Sequence, residues 1–507
     1  MKNRPNILFL FSDQHNAGVL GCENHPDVLT PNLDQLAAKG TRFSRAYCQD
    51  GVCAPSRCSL FSGLYPRSLG CMGNSDRNQA MREVVSLPSA FQANGYTTAA
   101  FGKRHLHLGC DEGWEIKASH LVKESPDDNY VRWIYEQGFG GAFARDWSSE
   151  WGRGPEGTPA EKQEMPFVLM CSQESRLPDG MTMEGWTKNR TVDFVRSRKN
   201  AEEPFFCFSS FYRPHQPYTP LPRYYSRFNR TRWGEGRRKR DGIAMPPSLR
   251  EPAEALPPRF QFVHSGGNRV FRVDLARQDE QLYRNYVAAY YALVEEIDDH
   301  VGDILRALDE TGQRENTIII YASDHGDFVG AHGMIEKCAS GHNVYEDTLR
   351  VPLIFNWPGT IQSGLNCDGL AELVDLYPTM MDLCGIKPPA LKHSLQGRSL
   401  AGALLRGEPT GRAFAISENW GQSTIITDQH KLGIWQQPRN PKWKDFRAFG
   451  DMLFDRAKDP LEIRNVAGTP DYGEVEKELG NQFHAWKQSM EGRTAPFDAG
   501  ATEAVGA

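Results

Sequence analysis

Apolar positions along the chain follow two rhythms. Short unbroken runs, Asn6-Ile7-Leu8-Phe9-Leu10-Phe11, Pro204 to Phe211 and Thr317-Ile318-Ile319-Ile320-Tyr321-Ala322-Ser323, read as strands buried on both faces, and Thr97 to Phe101 reads as another. Between them lie stretches of helical period. Thr30-Pro31-Asn32 before Leu33, Leu36 and Ala37, then Gly40, offers an N-cap, a proline at N1 and a glycine beyond the C-cap. Leu87 to Asn94, closed by Gly95, predicts a second short helix. Val294, Ile297, Val301, Ile304 and Leu308 share one face of a long helix ending at Gly312. Strands of this kind alternating with helices predict an α/β fold, a large and mostly parallel mixed sheet sandwiched by helices, running to about residue 400.

After Gly397-Arg398-Ser399-Leu400 the rhythm changes. Ala413 to Ile416, Ser423 to Ile426, Lys431 to Trp435 and Met452 to Asp455 predict a small antiparallel sheet, and Val475, Leu479, Phe483, Trp486 and Met490 predict one face of a closing helix. This divides the chain into a large unit over 1–400, a small α+β unit over 401–490, and a small-residue, polar tail over 491–507 expected to be disordered. Glu112 to Gly180, rich in Trp, Gly, Glu and Pro, reads as inserted loops. Its Trp133, Trp147 and Trp151 suit either a sugar subsite or loop packing. The basic stretch Arg223 to Arg240 reads as irregular and solvated.

Composition narrows the function classes. Of the 507 residues 39% are hydrophobic and 24% charged, the balance of a globular protein, and a net charge of −6 gives no support to general nucleic-acid binding. No stretch approaches the ~18 apolar residues of a membrane span. The N-terminal apolar run is too short for a signal h-region, so a cytoplasmic location is expected for the chain as written, and a periplasmic or secreted one if a leader was removed. Without a leader, Asn189-Arg190-Thr191 and Asn229-Arg230-Thr231 read as chance glycosylation sequons. The 11 cysteines show no CxxC pairing; all but Cys53 read as reduced, small buried hydrophobes.

Candidate chemistry gathers where apolar runs end. Asp13-Gln14, Lys103 with His105 and His107, His215, and Asp324-His325 each follow such a run, and ligands of open α/β sheets bind at the carboxyl ends of strands. Acids, a lysine and several histidines at these ends point to an anion-hydrolysing metal site.

Cys53-Ala54-Pro55-Ser56-Arg57, with Ser62-Gly63-Leu64-Tyr65-Pro66 behind it, resembles the C-x-P-S-R signature of the type I sulfatases, whose cysteine a separate maturing enzyme oxidises to formylglycine. The likeness continues in order along nearly the whole chain: Asn6 to Asp13 resembles the family's opening strand, Thr30-Pro31-Asn32-Leu33-Asp34 its T-P-N-L-D, and Phe101-Gly102-Lys103-Arg104-His105-Leu106 its G-K-W-H-L. Ser323-Asp324-His325-Gly326, Tyr345-Glu346 to Leu349-Arg350-Val351-Pro352, and Asp455 to Asp459-Pro460 with Glu462 and Asn465 match its later motifs. The resemblance implies an alkaline-phosphatase-like fold and hydrolysis of a sulfate monoester to an alcohol and sulfate. A phosphonate monoester or phosphodiester hydrolase with the same machinery is the alternative. A catalytically dead glycan binder is disfavoured because a binder needs no oxidisable cysteine.

Carried over residue by residue, the resemblance implies one divalent metal on Asp13, Gln14, Asp324, His325 and the modified Cys53, Ca²⁺ first, with Mn²⁺ and Mg²⁺ as alternatives. Gln14 and His325 stand where many members have Asp and Asn, and a nitrogen ligand suits Mn²⁺ better than Ca²⁺. Arg57 and Lys103 would hold the formylglycine and its metal-side oxygens, His105 would take a proton during sulfate release, and His215 would contact the sulfate and the leaving oxygen. The family's second lysine normally lies shortly before the Tyr-Glu pair. Lys337 is the first choice for it, and His342, nearer to Tyr345, the alternative. The chemistry asks for such a set: a hydrated aldehyde offers one hydroxyl to attack sulfur and a second to expel sulfate, and charge building on the departing oxygen needs a metal and cationic donors. The partners implied are a small-molecule or saccharide sulfate ester and a formylglycine-generating enzyme; the oligomeric state is left open.

Overall fold

The computed structural model describes residues 4–151, 172–228, 243–252, 254, 256–257, 260–261, 280–337, 343–387, 394–419, 421–436 and 450–490. The expected tail over 491–507, Asn229 and His342 lie outside them. Three sheets organise the chain. The strands of the largest are β1 (Asn6–Asp13), β2 (Thr41–Phe43), β4 (Thr97–Gly102), β5 (Ile116–Ala118), β6 (Phe205–Pro214), β7 (Thr317–Ser323), β9 (Leu353–Asn356) and β10 (Leu365–Cys367). They lie in the order β10-β2-β9-β7-β1-β6-β4-β5. β9 runs antiparallel to both of its neighbours, and the remaining pairs are parallel, so the sheet is mixed and mostly parallel. β3 (Ala46–Tyr47), β8 (Arg350–Val351) and β11 (Ala371–Glu372) form a small second sheet. The C-terminal sheet, β12 (Ala415–Asn419), β13 (Gln422–Ile426), β14 (His430–Trp435) and β15 (Met452–Asp455), is antiparallel throughout.

The unbroken apolar runs are explained by covered faces. Every residue of β1, β6 and β7 is buried. Side chains alternate across a strand, and β1 divides accordingly. Ile7, Phe9 and Phe11 enter one core with Leu60, Phe61, Leu87, Phe91, Leu376 and Met380. Leu8 and Leu10 enter the opposite core with Leu33, Leu36, Trp186, Val195, Ile297, Val301 and Ile304. The long helix spans Glu280–Thr311, and the face read from Val294 to Leu308 is buried. The short helix predicted from Leu87 spans Leu87–Ala93, capped by the Ser86 hydroxyl, which accepts from Ser89 N.

Two expectations need correction. Glu112 to Gly180 is not all loop: β5 joins the main sheet at its edge, and helices span Tyr130–Glu136 and Gly140–Trp151. Asn129 caps the first of these by accepting from Arg132 N. Trp133 and Trp147 pack on the apolar core with Tyr130 and Phe143, the loop-packing role. Thr30 takes the N-cap position of the Pro31–Ala38 helix but makes no capping bond; its hydroxyl donates to Asp34 Oδ1 instead.

The small sheet and the Gly473–Met490 helix bury Ile416, Ile425, Leu432, Leu453, Leu479, Phe483 and Trp486 together with Tyr65 and Val374 of the large unit. The core of the large unit reaches past residue 400 to Ala403 and Leu404. No described helix is long and apolar enough to cross a membrane.

Candidate active site

Three central strands deliver the site. β1 lies between β6 and β7 with all three parallel, so their carboxyl ends share one edge. Asp13 ends β1, Asp324 follows β7, and His215 follows β6, its backbone N–H donating to the Asp13 carbonyl at 3.2 Å. β4 adds the fourth corner. Its last residue, Gly102, has φ +92°, and a Cβ there would collide with the Ser210 carbonyl oxygen. That close turn needs glycine, and Lys103 follows directly. At the end of β1 the backbone of Gln14 turns into the left-handed region, φ 67°, which aims its N–H at Asp324 Oδ1, 3.0 Å away. His105 and Glu336 also have positive φ. For residues other than glycine such backbone costs about 1–3 kcal/mol and tends to gather at functional sites.

Cys53 opens the Cys53–Ser62 helix, whose ten residues are all buried. The helix is pinned to the sheet edge by Ser56 Oγ, which donates to the Asp324 carbonyl at 2.6 Å. Arg57, one turn into the helix, joins the two strand-end carboxylates. Its Nε donates to Asp324 Oδ2 at 2.6 Å and its Nη2 to Asp13 Oδ2 at 3.1 Å. Nη1 reaches the Lys103 carbonyl at 2.8 Å and Ser210 Oγ at 3.1 Å. Lys103 Nζ pairs with Asp13 Oδ2, lies 3.9 Å from Cys53 Sγ, and sits 4.8 Å over the Tyr212 ring. Burial alone would raise the Asp13 carboxyl, but the cations Lys103 and Arg57 hold it well below its ordinary range. Burial and the neighbouring Asp13 push the Cys53 thiol up to about 12, against the pull of Lys103.

His325 completes the carboxylate side. Its Nδ1 lies 2.8 Å from the Gly326 carbonyl, which can only accept, so Nδ1 carries the proton and Nε2 presents a lone pair. That Nε2 is 3.2 Å from Cys53 Sγ, 3.8 Å from Asp324 Oδ1 and 3.9 Å from Asp13 Oδ1. Ligand atoms of Asp13, Cys53, Asp324 and His325 all lie within 4.8 Å of one another. Two hard oxygens, one imidazole nitrogen and the position-53 side chain around one point form a donor set that fits a divalent cation.

The opposite side carries the protons. Lys337 Nζ donates to Gln14 Oε1 at 2.8 Å, pairs with Glu336 Oε1 at 2.9 Å, and lies 3.3 Å from His215 Nε2. His215 Nδ1 faces the Gln216 carbonyl at 2.9 Å. Burial, then Lys337 and Lys103, hold the ring well below its usual value, so it stays neutral and its Nε2 accepts from Lys337. Burial would lower Lys337, but Glu336 and Asp13 raise it. Of the two candidates for the second lysine's place, Lys337 lies in the chamber. Gln14 joins the two sides: its Nε2 is committed to Asp327 Oδ2 at 2.7 Å and its Oε1 to Lys337, which leaves that oxygen one lone pair for a cation. His105 sits on the loop after β4, with its backbone N–H held by Glu124 Oε1 at 3.0 Å. Burial and Lys103 keep its ring neutral, and among the described residues its buried Nδ1 has no hydrogen-bond partner.

Several supporting residues escaped the sequence reading. Asp327 accepts from Gln14, Tyr218, Tyr286 and the backbone of Val329. Glu124 fixes the Arg104-His105 backbone. Gln216 and Glu336 hydrogen-bond to each other beside Lys337. Asp327 closes the run Ser323-Asp324-His325-Gly326-Asp327, the one sequence signal that could have found any of them.

A model of the sulfatase family matches residues 5–386. The chain belongs to the sulfatase family. A second model, the C-terminal part of N-sulphoglucosamine sulphohydrolase, matches residues 330–489. Membership makes the protein a sulfuric ester hydrolase. It is 28% identical over 482 residues to an uncharacterized sulfatase, YidJ, of Escherichia coli, covering 94% of this chain and 86% of the other. It is 27% identical over 499 residues to an arylsulfatase of Clostridium perfringens, covering 93% and 92%. Among solved structures, the phosphonate monoester hydrolase of Agrobacterium radiobacter matches with TM-score 0.77 at 23% identity, over 96% of each chain. A protein solved with its substrate D-glucosamine-2-N,6-O-disulfate matches with TM-score 0.69 at 21% identity, over 96% of this chain and 98% of the other. At these identities the structural likeness bears on the fold.

Proposed function

We propose that this sulfatase hydrolyses the sulfate monoester of a saccharide through formylglycine made from Cys53, with one divalent cation held by Asp13, Asp324, His325 and Gln14. The observation that carries the reading is the convergence of Cys53, both strand-end carboxylates and the His325 Nε2 lone pair on one buried point. The state of the thiol supports it. A cysteine meant to react as thiolate has a depressed pKa, and that of Cys53 is pushed up to about 12. When bound, the cation would polarise the substrate's non-bridging oxygens and acidify a hydroxyl of the hydrated aldehyde, Ca²⁺ being the first choice and Mn²⁺ favoured by the imidazole.

The chain's own groups have separable tasks. Arg57 holds Asp13 and Asp324 in place for the cation and occupies the floor of the chamber. Lys103, beside residue 53 and over Tyr212, offers positive charge to the sulfate. Neutral His105, with its unpartnered Nδ1, is placed to accept the proton released as sulfate leaves. His215 and Lys337 share a proton 3.3 Å from ring nitrogen to ammonium, and this pair meets the charge that develops on the departing alcohol oxygen. Sulfate ester and water enter; alcohol, sulfate and one proton leave. A saccharide substrate is supported by the sugar disulfate bound in the similar structure.

The test is peptide mass spectrometry of residue 53 after co-expression with a maturing enzyme, followed by kcat/KM on sugar sulfates, aryl sulfates and phosphonate monoesters. Loss of sulfur with gain of an aldehyde, and preference for a sugar sulfate, are expected. Turnover by a protein with an intact Cys53 thiol overturns the mechanism, and preference for phosphonates overturns the substrate class.

A further inference from the structure

Behind the nucleophile, the same helix carries a second cluster that the reaction does not use. Cys58 lies one turn beyond Cys53 on the Cys53–Ser62 helix, Cys71 follows the short helix Pro66–Leu69, and His107 and Cys110 belong to the loop that bears Lys103 and His105. Ligand atoms of Cys58, Cys71 and His107 lie within 4.8 Å of one another. The Cys110 thiol lies 3.9 Å from the Cys58 carbonyl oxygen, and Cys58, Cys71 and Cys110 pack in one buried cluster. All three thiols are fully buried, His107 is 2% exposed, and the shell around them is apolar: Leu64, Leu69 and Met81, with Val84, Leu106 and Leu108 against them.

The cluster has features that ordinary packing does not require. Three sulfurs and an imidazole are gathered from three separate segments. His107 Nδ1 sits 2.8 Å from the Asp76 carbonyl, 2.8 Å from Arg77 Nη1 and 3.9 Å from Cys71 Sγ. The other ring nitrogen, Nε2, is buried without a hydrogen-bond partner among the described residues. A metal bond would satisfy a buried ring nitrogen otherwise left without a partner.

We infer that Cys58, Cys71, Cys110 and His107 form a structural zinc site. Three thiolates and one imidazole are a standard closed tetrahedral set, with Zn–S about 2.3 Å and so sulfurs about 3.8 Å apart. The ligand atoms of Cys58, Cys71 and His107 need only contract modestly to meet that spacing, and Cys110, packed beside Cys58, would turn in as the fourth. Each thiol gives up its proton on ligation, and soft sulfur separates this site from the oxygen-rich one at Asp13 and Asp324. Its role is mechanical: it ties the nucleophile helix to the loop that positions Lys103 and His105. The inference stands on its own residues and does not depend on the substrate proposed above.

The test uses the full chain carrying Cys53→Ala, so that no thiol of the catalytic chamber contributes. Purified under reducing conditions, this protein is expected to hold about one zinc per chain. After exchange it should show thiolate-to-cobalt charge-transfer bands with Co²⁺. Cys71→Ser and Cys110→Ser should each weaken those bands, while Ca²⁺ or Mn²⁺ binding at the other site persists. A folded parent that contains no zinc and gives no cobalt bands overturns the site, and this holds even if the serine variants do not fold. Zinc retained undiminished in a folded Cys71→Ser protein also overturns it. So does a disulfide joining Cys58 to Cys71 or Cys110 in the protein as isolated.

Discussion

On the Asp13–Asp324 side of the chamber, every charge meets an opposite charge that backbone or a strand end holds still. Arg57 joins both carboxylates, two backbone N–H groups donate to Asp324 Oδ1, and Lys103 pairs with Asp13. On the His215–Lys337 side the described residues hold one ion pair, Lys337–Glu336, and otherwise neutral partners: an imidazole, Gln14 and a carbonyl. The first arrangement can neutralise and hold a cation but has little freedom to move a proton. The second has a proton between two bases of the same neighbourhood and little capacity for a metal. On the function proposed above, the chamber divides into an electrophilic half and a proton-handling half, with Gln14 spanning both.

That division is testable by unequal losses. Asp324→Ala removes a carboxylate that every substrate needs, so kcat/KM should fall roughly 10³-fold or more, equally for esters of good and poor leaving groups. Chelation should mimic it, and Ca²⁺ or Mn²⁺ should restore activity. His215→Ala should slow a sugar or alkyl sulfate by roughly 10²–10⁴-fold but an activated aryl sulfate far less, because a nitrophenolate leaves without a proton. The check is a series of sulfate esters of rising leaving-group pKa, and an equal loss along it would reduce His215 to sulfate binding. Lys337→Ala should share that slope with a smaller loss, since His215 remains; a flat response would place Lys337 in the electrophilic half.

The smallest effect is on acid stability. The Asp13 carboxyl is held below its ordinary value, so its pairing contributes fully above about pH 4, the unfolded value, and is lost as pH falls through the lower folded one. In chelator-treated protein, Asp13→Asn should flatten that low-pH part of the stability curve and leave the curve above pH 5 unchanged in slope.

Much of this was legible in the sequence because the signals were local. Unbroken apolar runs announced β1, β6 and β7, and polar residues directly after them announced Asp13, His215 and Asp324. Lys337 was harder, because its partner His215 lies 122 residues away and spacing to Tyr345 gave two candidates. Glu124 and Gln216 were invisible for the same reason: single polar loop residues carry no periodicity, and only the fold shows what they face. β5 and the helices at Tyr130–Glu136 and Gly140–Trp151 were hidden by a composition in which glycine and tryptophan dilute the helical period. Asn129, an N-cap in plain view, was the usable clue. The thiols of Cys58, Cys71 and Cys110 lack any CxxC spacing, so their meeting is a tertiary fact.

The burial of Cys53 also sets a clock. Cys53 is 1% exposed and Ser56 and Arg57 are wholly covered, so a maturing enzyme of the kind proposed above would find no access to them in the finished fold. The chamber closes only when β7 and His325 arrive, 272 residues further along the chain. At about 5–20 residues per second, ribosomal synthesis of that interval lasts roughly 14–54 s. Throughout that interval the strand that seals residues 53–57 does not yet exist.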